Sequence, residues 1–333
     1  MIITRTPFRF TLGGGGTDLP SYYEKYGGFI LAAAIDKYMH INVNRPIVDD
    51  LIRVKYSRSE TVERRDEVQH DIVREAMAMM GLENALEIVS MADVPAGTGL
   101  GSSSCYAVGL LLALSHMKDE RLPISTLAER ACELEIVRLG KPIGKQDQYL
   151  AAYGGVRVLD IAPDGAVSVR KASVPAAVLE DLNANLLSFY TGTSRSADEI
   201  LRAQSLAVRQ DHKEVVANLC RIKEIGLSIL EALERGDPSR IGRLFDEHWA
   251  CKRDLAPGIT SPEIDRIYAA AKKSGALGGK LSGAGGGGFF LFYDEGDHRR
   301  LRAAMAELGL REMRYRFEPD GAKVIADFGR GDR

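Results

Sequence analysis

The chain contains 333 residues, of which 45% are hydrophobic and 27% are charged, a composition typical of a globular protein with about two domains. Its formal net charge of −2 gives no electrostatic reason to expect a nucleic-acid partner. No apolar run approaches the roughly 18 residues of a transmembrane helix, and arginines interrupt the apolar N-terminus, so we expect neither a membrane partner nor a signal peptide.

The four cysteines are widely separated and form neither a CxxC pair nor a Cys/His spacing typical of zinc sites; they are Cys105, Cys132, Cys220 and Cys251. His248 is close to Cys251 in the sequence, but two ligands do not make a zinc site. We therefore expect reduced thiols and a cytoplasmic protein.

The N-terminal half of the chain mixes strands and helices. Residues 2–12 alternate between two faces, which predicts a strand with Arg5 and Arg9 on one face. The elements predicted after it are strand 38–43, strand 52–56, helix 67–80, strand 86–90, helix 103–117, helix 126–139, strand 156–159 and strand 167–169. Thr126 and Glu129 have the spacing of a capping box near the start of helix 126–139.

The C-terminal half continues the mixture with longer helices. The predicted elements are strand 186–190, helices at about 197–235, 238–252 and 262–273, strand 289–293, helix 297–308 and strand 312–316. Because strands and helices do not alternate regularly, the predicted class is α+β. We expect the domain boundary near 170–183, which gives an N-terminal domain of residues 1–175 and a C-terminal domain of residues 176–333.

Glycine is over-represented and unevenly distributed. The chain has 34 glycines, about 10% of its residues against about 7% in average proteins. Many of them fall in three clusters, at 13–16, 97–101 and 278–288. Glycine permits positive φ and a close approach of the backbone to a ligand. Three such clusters in one chain predict a single site that is assembled from distant segments.

The second glycine cluster, Pro95-Ala-Gly-Thr-Gly-Leu-Gly-Ser-Ser-Ser104, leads directly into a predicted helix. A glycine-rich turn at a helix N-terminus presents free backbone N–H groups and the positive end of the helix dipole, which together bind anions such as phosphate. The loop is not a Walker A motif, because no Gly-Lys-Ser/Thr follows. The alternative is a helix capped by serines after a flexible turn, but three glycines at alternate positions exceed what capping requires.

The third glycine cluster contains Gly283-Ala-Gly-Gly-Gly-Gly288, which matches the G-x-G-x-x-G pattern of dinucleotide-binding folds. That pattern should follow a strand and open a helix, whereas here it leads into a predicted strand, so we reject a dinucleotide-binding fold. The alternative is a flexible hairpin. The conformational entropy of so many glycines favours instead a loop whose backbone packs against a ligand.

Two acidic residues are candidates for chemistry. Glu135 is the only charge on a helical stripe whose other members are Ala128, Cys132 and Leu139. A carboxylate on a buried stripe needs a partner, and Mg²⁺ would serve, with an arginine partner or partial exposure as the alternative. Asp147 follows Gly144-Lys-Gln and is either a helix N-cap or a base or orienting group.

The three glycine-rich segments together resemble the motifs of the GHMP kinases, which include galactokinase, homoserine kinase, mevalonate kinase and phosphomevalonate kinase. The motifs occur in the family's order, as Arg5 to Asp18, Pro95 to Ser104 and Lys280 to Gly288. The resemblance spans essentially the whole chain. It implies the GHMP kinase fold, with a ribosomal-protein-S5-like N-terminal domain, a ferredoxin-like C-terminal domain and the site between them.

The first motif narrows the resemblance within the family. Galactokinases carry a Gly-Glu-His-x-Asp-type pattern there, whereas this chain has Gly-Gly-Gly-Thr-Asp-Leu-Pro20. With Tyr190-Thr-Gly-Thr-Ser-Arg195, this is similar to the D-glycero-D-manno-heptose 7-phosphate kinases of bacterial surface-polysaccharide synthesis, which phosphorylate the anomeric hydroxyl. Fucokinase-like relatives share the GGGTD pattern, so a kinase of an unphosphorylated sugar is an alternative, and a non-catalytic sugar or nucleotide sensor is another.

The resemblance implies a role for each matching residue. Asp147 and Arg9 match the catalytic aspartate and the basic residue beside it, where several relatives have lysine, and Ser103 and Glu135 match ligands of Mg²⁺. The ATP-binding residues are expected to be Pro95, Gly97, Thr98, Gly99, Leu100, Gly101, Ser102, Ser103 and Ser104. The substrate-binding residues are expected to be Arg5, Gly15, Gly16, Thr17, Asp18, Arg195, Lys280, Gly285 and Gly286. The expected ligands are ATP, Mg²⁺ and a small sugar phosphate, and a homodimer is left open.

Overall fold

Two β-sheets organise the fold, which is described here from a computed structural model over residues 1–192 and 197–329. The strands of the described residues are β1 (Ile2–Gly13), β2 (Gly28–Asn44), β3 (Ile52–Lys55), β4 (Ser59–Val62), β5 (Leu86–Ala92), β6 (Val156–Ile161), β7 (Val167–Lys171), β8 (Leu186–Tyr190), β9 (Gly278–Leu281), β10 (Phe289–Tyr293), β11 (Arg311–Glu312) and β12 (Lys323–Asp327). Their order is β12-β1-β2-β5-β3-β4 in the first sheet, with β6 and β7 branching from β2, and β11-β8-β10-β9 in the second.

The helices of the described residues are α1 (Pro20–Tyr26), α2 (Asp71–Met79), α3 (Ser102–Met117), α4 (Ile124–Cys132), α5 (Gln146–Tyr153), α6 (Ala176–Asn185), α7 (Ala197–Arg209), α8 (Lys213–Arg235), α9 (Arg240–Lys252), α10 (Pro262–Lys273) and α11 (Arg299–Glu307). A π-helical segment, Glu133–Arg138, directly follows α4, and a 3-10 turn spans Arg65–Glu67. Over the described ranges, no helix combines the length and the apolar character that crossing a bilayer requires.

The long strand β2 is the centre of the first sheet. Its first half pairs with β6 and its second half with β5, while β1 runs antiparallel along nearly its whole length, from Ile2 opposite Val43 to Gly13 opposite Leu31. Helix α3 packs against β1 and β2, and its apolar residues are buried on all sides. This packing fixes the N-terminus of α3, and with it the loop that carries the second glycine cluster.

Strand β10 connects the cores of the two halves. Its sequence Phe-Phe-Leu-Phe-Tyr is fully buried, which requires cover on both faces. Phe290 and Phe292 pack in the second core with Trp249 of α9, whereas Leu291 and Tyr293 pack in the core of the first sheet. The third glycine cluster, which precedes β10, is therefore anchored between the two cores.

The predicted α+β class is confirmed, and several elements have their predicted bounds, among them β8, β10 and α10. The helix predicted at about 197–235 is two helices, α7 and α8, because the chain turns after Arg209 and Asp211 has a φ of 52°. The capping box predicted at Thr126 and Glu129 is wrong. Helix α4 begins at Ile124 without a side-chain cap, and the Glu129 carboxylate accepts hydrogen bonds from Tyr149 and Lys145 instead.

The C-terminal end of the described chain returns to the first sheet. The strand predicted at 312–316 is only Arg311–Glu312, and a further strand, β12, pairs antiparallel with the free edge of β1. The proposed boundary between residues 175 and 176 stays a prediction. The structure adds that a segment from beyond residue 320 packs with the N-terminal sheet.

Candidate active site

All three glycine clusters border one cavity of about 300 Å³, a size within the range of small-molecule sites. Strand β1 and the turn after it form one wall, the N-termini of α3 and α5 form another, and α7, α9 and β9 form the rest of the lining. The glycines at its surface are Gly15, Gly16, Gly97, Gly99, Gly101, Gly144 and Gly283. The distant glycine-rich segments therefore meet at one site.

The second glycine cluster forms a tight loop at the N-terminus of α3. Gly97, Gly99 and Gly101 have φ values of 79°, 79° and 80°, and such alternation of left-handed residues with ordinary ones makes concave anion sites from backbone N–H groups. The N-cap residue of α3 is Gly101, and the hydroxyls of Ser103 and Ser104 donate to Glu135 instead, so the alternative of a serine-capped helix is wrong. The first N–H groups of the helix stay available to a ligand beside Ser102 and Ser103, which line the cavity.

The second and third glycine clusters pack backbone against backbone. A Cβ on Gly283 would lie 2.5 Å from the Cα of Gly99, and one on Gly99 would lie 2.6 Å from the carbonyl oxygen of Ser282. The Ser282 hydroxyl donates a hydrogen bond to the Gly99 carbonyl at 3.2 Å. Glycine is thus required in the third cluster because its loop packs at close range against the loop of the second cluster and supports it.

Glu135 is fully buried and lies beneath the N-terminus of α3. Its carboxylate accepts hydrogen bonds from the hydroxyls of Ser103 and Ser104, the latter at 2.6 Å, and from Nε2 of Gln148 at 2.7 Å. The Lys141 ammonium lies 3.6 Å from Oε1 and donates to the Ser103 hydroxyl at 3.0 Å. The charge on the buried stripe therefore has a cationic partner, which is a lysine rather than the arginine considered from the sequence.

The metal-ligating oxygens at Glu135 suit a magnesium ion only in combination with a phosphate ligand. No group of three or more His, Cys, Asp or Glu side chains that could hold a metal occurs in the described part of the chain. Glu135 and Ser103 supply one carboxylate and one hydroxyl at the cavity wall. Mg²⁺ commonly binds through one or two protein oxygens, with waters and substrate phosphates completing the octahedron. The residues present fit an ion of that kind.

Arg9 and Asp147 form a bidentate ion pair at the cavity wall. Nε and Nη2 of Arg9 each donate to a different carboxylate oxygen of Asp147 at 2.7 Å, and Nη1 donates to the Gly99 carbonyl at 2.7 Å. The structure excludes the N-cap alternative for Asp147, because the N-cap of α5 is Lys145 and Asp147 is the second residue of the helix. A carboxylate offers about four lone-pair positions, so Asp147 retains acceptor capacity for a ligand.

Asp18 is a buried acid of the cavity wall near the N-terminus of α5. Its oxygens accept hydrogen bonds from the backbone N–H of Gly16 at 3.2 Å and of Gln146, the first residue of α5, at 3.1 Å. Burial, and next the charge of Asp147, raise the pKa of Asp18 to about 6, although the bond from Gln146 opposes the shift. Only glycine fits at position 144, since a Cβ there would lie 2.0 Å from Oδ2 of Asp18.

The second half of the chain contributes basic residues that line the cavity. The Lys280 ammonium, on β9, donates to the Thr11 carbonyl at 2.9 Å and contacts Nε2 of His248 at 3.4 Å. Lys252, at the end of α9, donates to the carbonyls of Leu281 and Gly283. The sequence predicts Lys280 at the site but not Lys252, His248 or Lys141. Lys252 is on an amphipathic helix, where a lysine has the pattern of a solvated residue.

Several residues predicted to bind ligands lie in the wall behind the cavity rather than at its surface. Thr17 is buried and its hydroxyl lies 2.8 Å from the backbone carbonyls of Gly14, in the first turn, and of Phe29, on β2. Thr98 donates to the Pro95 carbonyl at 3.0 Å, and Leu100 is fully buried in the core. Pro95, Thr98 and Leu100 therefore shape the loop, while the glycines and serines between them reach the cavity.

Three further residues predicted to bind the substrate, Arg5, Gly285 and Gly286, also lie outside the cavity lining. Arg5 precedes Arg9 by four residues on β1, which separates the two by about 13 Å along the strand, and the pairing of β1 with β2 is irregular between Pro7 and Phe8. The Arg5 guanidinium covers the Tyr38 ring at 4.1 Å and lies 3.5 Å from Glu318. Gly285 and Gly286 pack against Ile259, whose carbonyl accepts from the N–H of Gly286 at 2.8 Å. Arg195 lies outside the described residues.

Two family descriptions match this chain. The one described as the GHMP kinases N terminal domain matches residues 69–155, which include the loop, Glu135 and Asp147, and the one described as GHMP kinases C terminal matches residues 229–310, which include Lys252 and Lys280. Both therefore cover segments that border the cavity.

Individual proteins of known name are similar to this chain along most of its length. The chain is 30% identical to a D-glycero-alpha-D-manno-heptose 7-phosphate kinase of Campylobacter jejuni over 88% of this chain and 89% of that protein. It is 27% identical to an L-fucokinase/L-fucose-1-P guanylyltransferase of Bacteroides fragilis, over 86% of this chain but only 34% of that longer protein.

A solved structure confirms the fold expected from the sequence motifs. A D-glycero-D-manno-heptose 1-phosphate kinase from Bacteroides thetaiotaomicron superposes with a TM-score of 0.81, at 24% identity, over 99% of this chain and 100% of that one. With both family descriptions matching and a 30% identical relative aligned along most of its length, the chain belongs to the GHMP kinase family.

Proposed function

We propose that the chain is an ATP-dependent sugar kinase that phosphorylates the anomeric hydroxyl of D-glycero-D-manno-heptose 7-phosphate to the 1,7-bisphosphate. This step would serve the synthesis of nucleotide-activated heptose for surface polysaccharide, and a cytoplasmic location fits its use of ATP. The observation that carries the proposal is the Arg9–Asp147 pair, which lies at the cavity wall between the loop at α3 and the pocket of Asp18. A carboxylate held at that junction is suited to act on a hydroxyl that faces a bound phosphate chain.

The ATP phosphates are assigned to the second glycine cluster. Backbone N–H groups of Gly97 to Ser104 and the positive end of α3 favour negative charge at this position. Ser103 and Glu135 would hold Mg²⁺, which supplies positive charge to the phosphate oxygens when it is bound. Lys141, which donates to the Ser103 hydroxyl at 3.0 Å, supports the same negative charge.

The chain's own groups then position the reaction. Arg9 uses two donors to fix both oxygens of Asp147 and a third to hold the Gly99 carbonyl of the phosphate loop. This links Asp147, which accepts a hydrogen bond from the sugar hydroxyl, to the loop that holds the phosphates. As the oxygen–phosphorus bond forms, Asp147 accepts the hydroxyl proton, and the bond from the transferred phosphorus to ADP breaks. Because an anomeric hydroxyl is more acidic than an ordinary alcohol, a carboxylate is a sufficient base.

The sugar is assigned to the side of the cavity formed by the first glycine cluster. Asp18, Gly15 and Gly16 line that side, and a buried carboxylate there can accept hydrogen bonds from two sugar hydroxyls. The heptose 7-phosphate assignment is supported by the 30% identical relative, and the fucokinase alternative by the 27% identical one. A non-catalytic sensor is disfavoured because Ser103, Glu135 and Asp147 are all present and all border one cavity.

A panel of substrates scored by ADP release tests the proposal. The panel contains heptose 7-phosphate, heptose 1-phosphate, unphosphorylated heptose, L-fucose and mevalonate, each with Mg-ATP. We expect kcat/KM for heptose 7-phosphate to exceed that of every other compound by at least about 100-fold, as in sites that read a polar group by hydrogen bonding. A maximum with L-fucose would establish the alternative kinase instead. ADP release with none of the compounds would contradict the kinase assignment for this panel and support the sensor.

A further inference from the structure

Three basic side chains form a buried group in the cavity wall, which we call the basic cluster: His248, Lys252 and Lys280. Their exposed fractions are 1%, 8% and 1%, and all three line the cavity. Lysine is almost never this buried without a partner of opposite charge. Two such lysines on neighbouring elements, α9 and β9, therefore require a physical reason.

The hydrogen bonds of the basic cluster leave two donors unused, one on the Lys252 ammonium, which has two carbonyl acceptors for its three protons, and one on the His248 ring. The Lys280 ammonium has three protons and three acceptors in reach, the carbonyls of Thr11 and Leu12 and Nε2 of His248. When the Lys280 ammonium donates to Nε2 of His248, the proton of the neutral imidazole is on Nδ1. Nδ1 is buried and has no hydrogen-bond partner among the described residues. A buried N–H donor of the cavity lining is thus available for an acceptor that a ligand supplies.

The charge of the basic cluster is also unmatched. The partners of Lys252 and Lys280 are carbonyls and an imidazole, and within the described ranges neither lysine forms an ion pair with a carboxylate. Burial, followed by the charge of Arg9, lowers the pKa of Lys252 to about 7, and burial, followed by Lys252 and Arg9, lowers the pKa of Lys280. An anion placed against these groups would relieve the repulsion and favour both ammonium forms.

The basic cluster is separate from the cation of the phosphate loop. Lys141 contacts Ser103, Glu135 and Asp71, whereas Lys280 contacts the residues just before the first glycine cluster. The two sets share no partner among the residues that the structure describes. Arg9, paired with Asp147, is the charged group that lies within electrostatic reach of Lys252 and Lys280. Lys280 therefore lies on the side of the first glycine cluster, whereas Lys252 donates to Gly283, whose backbone packs against Gly99 of the second glycine cluster.

We propose that the basic cluster is the binding subsite for the phosphate that the sugar substrate already carries. This inference rests on the proposed function, because it assumes that a sugar phosphate is the acceptor. Lys252 and Lys280 supply positive charge, and the free Nδ1–H of His248 supplies a directed hydrogen bond. A phosphate monoester, with its two negative charges and several acceptor oxygens, matches this set of donors better than a sugar hydroxyl does. The subsite would distinguish phosphorylated from unphosphorylated sugars.

Replacement of Lys252 by methionine tests the subsite, because methionine keeps the apolar stem and removes the charge. We expect Lys252→Met to raise KM for heptose 7-phosphate by about 10- to 100-fold, which is the loss of binding expected when one charge-assisted hydrogen bond is removed. KM for ATP and kcat/KM for unphosphorylated heptose should change far less. The matched control is Lys223→Met, since Lys223 also donates to two backbone carbonyls, those of Tyr26 and Gly27, but does not line the cavity. It should leave all constants unchanged.

The His248 donor provides a second test that does not depend on the lysine. His248→Phe removes the N–H, whereas His248→Asn retains an N–H donor near the position of Nδ1. We expect the phenylalanine variant to raise KM for heptose 7-phosphate and the asparagine variant to restore part of the loss. An equal loss for phosphorylated and unphosphorylated sugar in both the Lys252 and the His248 variants would overturn the proposal. A loss confined to kcat would overturn it too, since it would assign the cluster to the transferred phosphoryl group.

A binding measurement separates failure of the subsite from failure of the proposed function. Inorganic phosphate is titrated by calorimetry into the protein saturated with Mg-ADP, which occupies the phosphate loop. Phosphate that binds to the wild type and not to Lys252→Met supports the subsite, whatever sugar the enzyme prefers. Absence of phosphate binding to the wild type contradicts the subsite, even if heptose 7-phosphate proves to be the substrate.

Discussion

Replacing Asp147 by asparagine separates catalysis from folding, because asparagine keeps the size and one acceptor oxygen but removes the charge. Asp147 accepts two hydrogen bonds of 2.7 Å from Arg9, whose side chain is only 4% exposed. Breaking a fully buried ion pair costs about 3–5 kcal/mol. Because Asp147 is 22% exposed and Arg9 keeps its bond to Gly99, we expect a smaller loss of about 1–3 kcal/mol in the free energy of unfolding.

The expected effect of Asp147→Asn on catalysis is larger than its effect on stability. Loss of a positioned base lowers kcat by about 10²–10⁴, which corresponds to about 3–5 kcal/mol in activation free energy. The variant should stay folded at 25 °C, because domains have about 5–15 kcal/mol of stability. The assay is single-turnover phosphoryl transfer with saturating Mg-ATP, which removes the contribution of product release, together with a thermal melt.

A matched control for Asp147→Asn breaks a similar ion pair far from the cavity. Glu312 accepts two hydrogen bonds from Arg302, at 2.8 and 2.9 Å, and neither residue lines the cavity. Glu312→Gln should lower the melting temperature by a comparable or smaller amount and leave the single-turnover rate unchanged. If Asp147→Asn retains more than about a tenth of the wild-type rate, Asp147 is not the base, since a base contributes about 10² or more.

Three further substitutions test the other parts of the site. Gly101→Val, at a φ of 80° and with its Cβ 3.0 Å from Oδ2 of Asp147, should weaken ATP binding in calorimetry by at least about tenfold, and undiminished affinity would contradict the loop's role. Glu135→Gln should raise the Mg²⁺ concentration for half-maximal rate by at least about tenfold, the loss typical even of outer-shell partners; an unchanged requirement would remove Glu135 from the ion. Asp18→Ala should raise KM for the sugar by at least about tenfold and leave KM for ATP nearly unchanged, since hydrogen bonds to charged groups contribute about 1.5–3 kcal/mol each. Because burial raises the pKa of Asp18 to about 6, the folded protein holds this proton more tightly than the unfolded chain, so wild-type stability should fall relative to Asp18→Asn by about 2 kcal/mol as pH rises from 4 to 7. Denaturant unfolding of both proteins across that range measures the difference, and parallel curves would contradict it.

The elements that could be predicted from the sequence are those in which local pattern and tertiary environment agree. Strand β10 and helix α10 have their predicted bounds because one is a short apolar run after glycines and the other has a serine N-cap and lysines in its last turn. Helix α5 could not be predicted, because it is buried on most sides and has no amphipathic stripe. Strand β12 is short and half exposed, so only its pairing with β1 makes it a strand.

The candidate site could be predicted in outline but not in its lining. Glycine clusters and isolated acids mark it in the sequence, because both are costly for a fold unless a close backbone contact or a charged partner requires them. Lysines give no comparable signal, and the burial of Lys252 and Lys280 arises only when α9 packs against β9 and β9 approaches the end of β1. Arg5 shows the converse error, since strand alternation groups it with Arg9 but does not give its position along β1 or its contacts with Tyr38 and Glu318.

Transfer of phosphate to the anomeric oxygen of a sugar phosphate is the reaction that this site is proposed to perform. Phosphorus-31 NMR of the product formed from heptose 7-phosphate and Mg-ATP detects this transfer directly. We predict one new phosphate-ester signal that is coupled to the anomeric proton, together with the unchanged signal of the 7-phosphate and one equivalent of ADP. Absence of the new ester signal, or its coupling to a ring proton other than the anomeric one, would contradict the proposed reaction.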